Sequence, residues 1–304
     1  MTNHSTPLGR FTRASPQSDG LRAIARAGVC LWLGMIKVAL LAMMLASPAL
    51  AQSQDEVLHA ELLPGWRMED GHRMAALDLR LAPEWKTYWR APGDTGIPPM
   101  FDWTGSVNLK TVRFHWPSPK AITLSGLTSL GYLGELVLPV ELVPVDPAKP
   151  VTLALKMDLG ICREICLPAH LALSGVLSGQ GGADDQIKVA LSREPKRLTG
   201  VQTSCQVDPI ADGLRLTARM VLPVQGEVET VAFETSDPSV WVATSTTHRE
   251  GPMLISQTDL VPSAGAPYAL DRSGLTMTVL ADGHGVELQG CPAPPPSTVK
   301  PLNH

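Results

Sequence analysis

Apolar residues along most of this chain recur at every second position, the period of a strand that buries one face. In "LDLRL", Leu77 to Leu81, leucines alternate with charged residues. In "VRFHW", Val112, Phe114 and Trp116 fall on one face, with Arg113 and His115 on the other. "VTLALKM" sets Val151, Leu153, Leu155 and Met157 together. Proline- and glycine-rich clusters such as "RAPGDTGIPP", "WPSPK" and "VPVDPAKP" separate these runs and read as turns. Short strands between such turns predict an all-β fold, an antiparallel β-sandwich. Strands do not alternate with long helices, which argues against a parallel α/β fold, the thioredoxin fold included.

The rhythm breaks at "SGQGGADD", Ser178 to Asp185, whose composition is that of a flexible linker. "DDQIKVALSREP" then predicts a short helix, with Asp184 or Asp185 as N-cap and Pro195 as its stop. Strand periodicity resumes near Val201 with "LRLTARMVL", "VETVAF", "LTMTVL" and "GVELQGC", so a second small β-sandwich is expected. The tail "PAPPPSTVKPLNH" is expected to be extended and disordered.

At the other end, "VALLAMMLASPALA", Val38 to Ala51, couples an apolar run to the small-x-small pattern that signal peptidase accepts, with Lys37 as a positive flank. The run is shorter than the roughly 20 residues a membrane span needs. A secretory signal peptide cleaved after Ala51 is expected, with Met35 as an alternative start. The expected organisation is a leader over 1–51, a first sandwich over 52–178, a linker with a short helix over 179–199, a second β domain over 200–291 and a tail over 292–304. No later apolar stretch reaches spanning length, so the mature chain is expected to be exported to the periplasm without a membrane span.

Charge narrows the partners. Beyond Ala51 the chain carries 20 basic against 28 acidic side chains, a net charge near −8. That argues against nucleic acid or an anionic membrane surface as partner. No G-x-S-x-G, phosphate loop or H-E-x-x-H occurs, so no hydrolase or nucleotide chemistry is indicated.

Cysteine count carries the positive signal. Cys30 belongs to the leader, leaving Cys162, Cys166, Cys205 and Cys291. In an oxidising compartment four cysteines point to two disulfides, and proximity favours Cys162–Cys166 and Cys205–Cys291. On the chain-entropy model the long bridge contributes roughly 4–5 kcal/mol and the short one about 2. Cys205–Cys291 therefore reads as a structural staple across the second β domain. Cys162 and Cys166 close too small a loop to stabilise much, and strained or exposed bridges are the easily reduced ones. Gly160 is expected to permit a sharp turn before the pair, and Pro168 to fix the backbone after it. A local staple and a metal clip stay open beside a redox dithiol. Cys162, Cys166 and His170 would share one face of a helix and could hold zinc or Cu(I), although Leu167-Pro168 disfavours that helix.

"GICREICLPA", Gly160 to Ala169, resembles the cysteine motif of the N-terminal periplasmic domain of the thiol:disulfide interchange protein DsbD and its ScsB-like relatives. "WKTYWRAPGDTGIPPMFDW", Trp85 to Trp103, and "GYLGELVLPVELVP", Gly131 to Pro144, resemble further segments of that family in the same order. The likeness runs from about His59 to Ser174. It implies an immunoglobulin-like β-sandwich that exchanges electrons through its cysteines without a cofactor. It also implies Cys166 as the attacking thiol and Cys162 as the resolving one. The implied partners are periplasmic thioredoxin-like or disulfide isomerase proteins, with a membrane electron donor acting in trans.

This sequence departs from the family pattern in its three-residue cysteine spacer. It also offers Leu124, Leu127 and Leu130 where the family carries an aromatic cap. Trp85, Tyr88 and Trp89 are expected to pack in the core, and Asp158, Arg163, Glu164 and His170 to be solvated charges flanking the cysteines. A non-catalytic scaffold with two structural disulfides is the competing reading, and copper handling a third.

Overall fold

The computed structural model describes residues 53–124, 126–263 and 268–295. The expected leader and residues 296–304 of the expected tail lie outside them. The fold is nearly all β, with two sandwiches of mostly antiparallel sheets.

A single turn α1 (Gln54–Val57) leads into β1 (Leu58–Arg67) and β2 (Arg73–Leu81). Then come β3 (Lys86–Tyr88), β4 (Met100–Asp102), β5 (Leu109–Phe114), β6 (Lys120–Leu124), β7 (Leu127–Leu133), β8 (Glu135–Pro144), β9 (Val151–Cys162) and β10 (Cys166–Leu177). One sheet runs β1-β2-β8-β5 and the facing sheet β10-β9-β3-β7-β6, with β4 also paired to β9. The alternation predicted for β2 and β9 places Leu77, Leu79, Leu153, Leu155, Met157, Leu159 and Ile161 in the core between the sheets. Each such side chain, fully withdrawn from water, stabilises the fold by about 1.5–3 kcal/mol. Trp85 and Trp89 join them, and Phe101, Phe114 and Trp116 pack ring to ring at 4.4–6.3 Å.

Three local features were not evident from the sequence pattern. "GYLGELVLPVELVP" is two strands, the end of β7 and all of β8, because at Gly134, φ 74°, the chain crosses from the sheet of β3 to that of β2. Asp78 is not solvated: it is fully buried, with Arg80 bonded to one oxygen at 2.5 Å and the other oxygen unpartnered. The linker is not free either. Arg67 N donates to Gln180 O at 2.8 Å and Gly182 N to Gly65 O at 3.0 Å, so Gln180–Gly182 is stitched to β1.

The predicted helix forms as α2 (Asp185–Ser192), with Asp184 accepting from Gln186 N at 2.8 Å and Ile187 N at 3.2 Å. Its Ile187 packs on Met74 and Ala76, on the outer face of β2. After α2 the second sandwich comprises β11 (Lys196–Arg197), β12 (Gln202–Ile210), β13 (Gly213–Val221), β14 (Thr230–Glu234), β15 (Val240–Val242), β16 (Thr246–Glu250), β17 (Met253–Pro262), β18 (Thr276–Ala281) and β19 (His284–Gln289). Its sheets are β11-β19-β18-β14 and β12-β13-β17-β15, with β16 also on β17. β11 pairs with β19 in parallel. Cys205 is bonded to Cys291 in the core, tying β12 to the chain just past β19. The two sandwiches touch: Ala232 and Leu280 pack into the first core.

Candidate functional site

β9 and β10 form a long hairpin, and Cys162 and Cys166 face each other at its neck as the last register pair before the turn Arg163–Ile165. They are bonded to one another. Gly160 is not the turn. It lies inside β9 opposite Pro168, and the chain reverses two residues later. What Gly160 supplies is space: a Cβ there would meet Ile97 Cβ at 2.9 Å and Tyr88 Cε2 at 3.2 Å.

Strand alternation explains what surrounds the sulfurs. Odd positions of β9 point into the core, so Cys162 is on the outer face of its sheet. Lys86 lies opposite Cys162 on the neighbouring strand, and Tyr88, two residues on, shares its face. That face is covered all the same. Tyr88 and Cys162 are 2% and 1% exposed, and the segment after Trp89 folds back here, with Gly96 against the Tyr88 ring and Ile97 over Gly160. Cys166, on edge strand β10, is exposed. The pair is thus asymmetric, with one cysteine buried and the other at the surface.

Tyr88 was expected in the core with the two tryptophans. Its ring is buried, but on the opposite face, and its hydroxyl donates to Cys162 Sγ at 3.0 Å and lies 3.6 Å from Cys166 Sγ. Burial raises the phenol's pKa, so it stays a neutral donor. Lys86 Nζ donates to Ser129 Oγ at 2.9 Å and lies 5.5 Å from the Tyr88 ring centroid. Burial lowers its pKa. A phenol donor and a nearby ammonium both favour a thiolate over a thiol. Sequence reading missed Lys86, Tyr88 and Ile97 as site residues; the signal was the alternation of "WKTYW", which sets Lys86 and Tyr88 opposite the tryptophans.

The flanking charges divide. Arg163 lies over the Trp85 ring at 5.8 Å, and Glu164 is exposed. His170 Nδ1 pairs with Asp158 Oδ1 at 2.5 Å across the hairpin. The clip of Cys162, Cys166 and His170 does not assemble, because four residues along a strand span about 13 Å. Among the described residues, ligand atoms converge at Asp70, His72 and Glu141, within 4.8 Å of one another. Glu141 is already engaged by other side chains: Arg113 Nη1 donates to it at 2.9 Å and His115 Nε2 lies 3.4 Å from its other oxygen. Leu124 and Leu127 sit exposed at the tip of the β6–β7 hairpin, and Leu130 is buried. Exposed Ile97, Leu133 and Ile165 give the site an apolar surround.

No helix among the described residues is long and apolar enough to cross a membrane. Residues 55–177 match the family described as thiol:disulfide interchange protein DsbD, N-terminal. No curated protein matches the chain. Among solved structures, the N-terminal periplasmic domain of ScsB from Proteus mirabilis is similar in fold, with a TM-score of 0.60 at 22% identity over 81% of this chain and 97% of that one. Residues 55–177 therefore form a domain that matches the DsbD N-terminal family, in a fold similar to that of the ScsB periplasmic domain.

Proposed function

We propose that this is a periplasmic thiol–disulfide exchange protein that passes electrons through Cys162 and Cys166. The observation that carries the reading is the asymmetry of the pair, Cys166 at the surface and Cys162 buried beneath Tyr88. In the reduced protein the Cys166 thiolate attacks one sulfur of a partner disulfide. A mixed disulfide forms and the partner's other sulfur leaves as a thiolate that takes up a proton. Cys162, deprotonated with help from Tyr88, then attacks Cys166 Sγ. The partner leaves as a dithiol, two electrons richer, and the Cys162–Cys166 bridge remains. Recharging runs in reverse: a donor thiolate attacks the exposed Cys166 sulfur and Cys162 is the leaving group. No cofactor takes part.

Ile97, Leu133 and Ile165 supply apolar surface for a visiting polypeptide. The partners are thioredoxin-like or disulfide isomerase proteins, with a membrane donor acting in trans. Export follows a signal peptide cleaved after Ala51, and Cys205–Cys291 is a structural staple. Cys162→Ala in the exported protein is expected to accumulate mixed disulfides through Cys166, detected on non-reducing gels and by mass spectrometry. An absence of adducts while Cys166 still alkylates readily would overturn the reading, as would a reduction potential for the short bridge well below about −300 mV.

A further inference from the structure

The second sandwich grips the segment that covers the dithiol. Residues 89–99 leave β3 at Tyr88 and return at β4, with Ile97 seated on Gly160 and Gly96 against the Tyr88 ring. A Cβ at Gly96 would stand 3.0 Å from Tyr88 Cδ1, so no slack separates cover and phenol. Trp89 anchors the start of the cover in the first core, and two backbone bonds follow: Trp89 N to Leu130 O at 3.0 Å and Leu130 N to Pro92 O at 2.9 Å.

Two further ties come from the second sandwich. Arg90 makes a two-pronged pair with Glu234 at 2.8 and 2.9 Å and reaches Glu287 at 3.1 Å. Its guanidinium stacks on Trp89 at 4.4 Å. Asp94 and Thr244 bond reciprocally, Asp94 N to Thr244 Oγ1 at 3.1 Å and Thr244 N to Asp94 Oδ1 at 2.7 Å. Behind the cover lies a cavity of about 560 Å³, walled by Pro92, Gly96 and Pro98 on one side and by Phe233, Val240 and Val242 on the other. Beyond Trp89 and Ala91, which pack in the first core, space rather than packed core backs the cover, so from Pro92 onward its position over Tyr88 leans on the two ties.

We infer that the second sandwich is the fastener of the dithiol's cover, and that Arg90 and Asp94 are positioning residues that hold Tyr88 and Cys162 shielded. Their release exposes the buried sulfur and gives reductants a second line of approach. The inference rests on the exchange reading for its biological meaning, but its test does not need a protein partner.

Reduction by dithiothreitol, which is oxidised to its cyclic disulfide as each bridge gains two electrons, is followed on the full chain by alkylation and mass spectrometry, each disulfide scored separately. Arg90→Ala is expected to speed reduction of Cys162–Cys166 about tenfold, the loss of one charge-assisted two-pronged pair. Asp94→Ala, which removes an exposed carboxylate acceptor, and Thr244→Val, which removes a neutral hydroxyl acceptor, are each expected to speed it about threefold. Arg90→Lys falls between. Cys205–Cys291 keeps its wild-type rate in every variant. Unchanged rates at Cys162–Cys166, or equal acceleration at both bridges, overturn the inference. Should Arg90→Ala fail to fold, the two milder variants decide alone. If the tied variants accelerate as stated but Cys162→Ala traps no partner, the fastener stands and the exchange reading falls.

Discussion

Replacing Tyr88 by Phe isolates one hydroxyl. The ring is 2% exposed and fills the same volume in either residue, so packing is conserved. What disappears is the donor 3.0 Å from Cys162 Sγ. A hydrogen bond to a charged acceptor contributes about 1.5–3 kcal/mol, against about 1 to a neutral one. The thiolate of Cys162 therefore loses roughly 1.4 kcal/mol relative to its thiol, a tenfold fall in thiolate population near neutral pH. A more basic thiolate is also a better nucleophile, with a Brønsted slope of about 0.4–0.5, which returns about half of that loss on a logarithmic scale. Resolution of the mixed disulfide should slow about threefold. Quenched-flow decay of a preformed adduct on Cys166 measures this. In a Cys166→Ser background, the pH profile of Cys162 alkylation should move to higher pH. If decay rate and alkylation profile both match the unmodified residue while thermal stability is retained, Tyr88 only fills space.

Gly160→Ala places a Cβ 2.9 Å from Ile97 Cβ, and should cost about 1–3 kcal/mol in urea denaturation. Adding Ile97→Ala should recover most of that loss, and no recovery would mean the clash lies elsewhere. Removing both Cys205 and Cys291 frees the 86-residue separation they span and should lower stability by about 4–5 kcal/mol. The rate of Cys162–Cys166 reduction should then be retained, read by alkylation. His115 is held above its ordinary pKa of 6.5 by its hydrogen bond to Glu194, with Glu141 adding to the effect against the opposing burial. Its contribution is therefore complete below about pH 6.5 and is lost as pH rises through the elevated folded-state value. Melting temperature should decline across that alkaline limb, and Glu194→Gln should flatten the decline. An unchanged slope refutes the pairing.

Strand periodicity made most of the first sandwich legible, because β2 and β9 each bury one face against the facing sheet. The helix was legible from Asp184, whose side chain caps it, and from Pro195, which cannot continue it. Cysteine spacing located the short bridge but not its setting. Tyr88 reaches the sulfurs, and Lys86 the position opposite Cys162, only through the register between β3 and β9, a pairing of residues more than seventy positions apart. "RAPGDTGIPP" read as a turn because proline and glycine mark irregular backbone, yet nothing local says what such backbone covers. Asp78 deceived for a related reason: alternation set it on the face away from the core, and burial there comes from neighbours remote in sequence.

Having only one cysteine of the pair exposed carries a kinetic consequence. Under the proposed exchange, an electron source and an electron sink must dock at the same atom, so they compete for one landing point and visit by turns. Such a protein obeys ping-pong kinetics, with parallel double-reciprocal lines. An excess of either visitor would inhibit the other, and turnover would follow whichever departs more slowly.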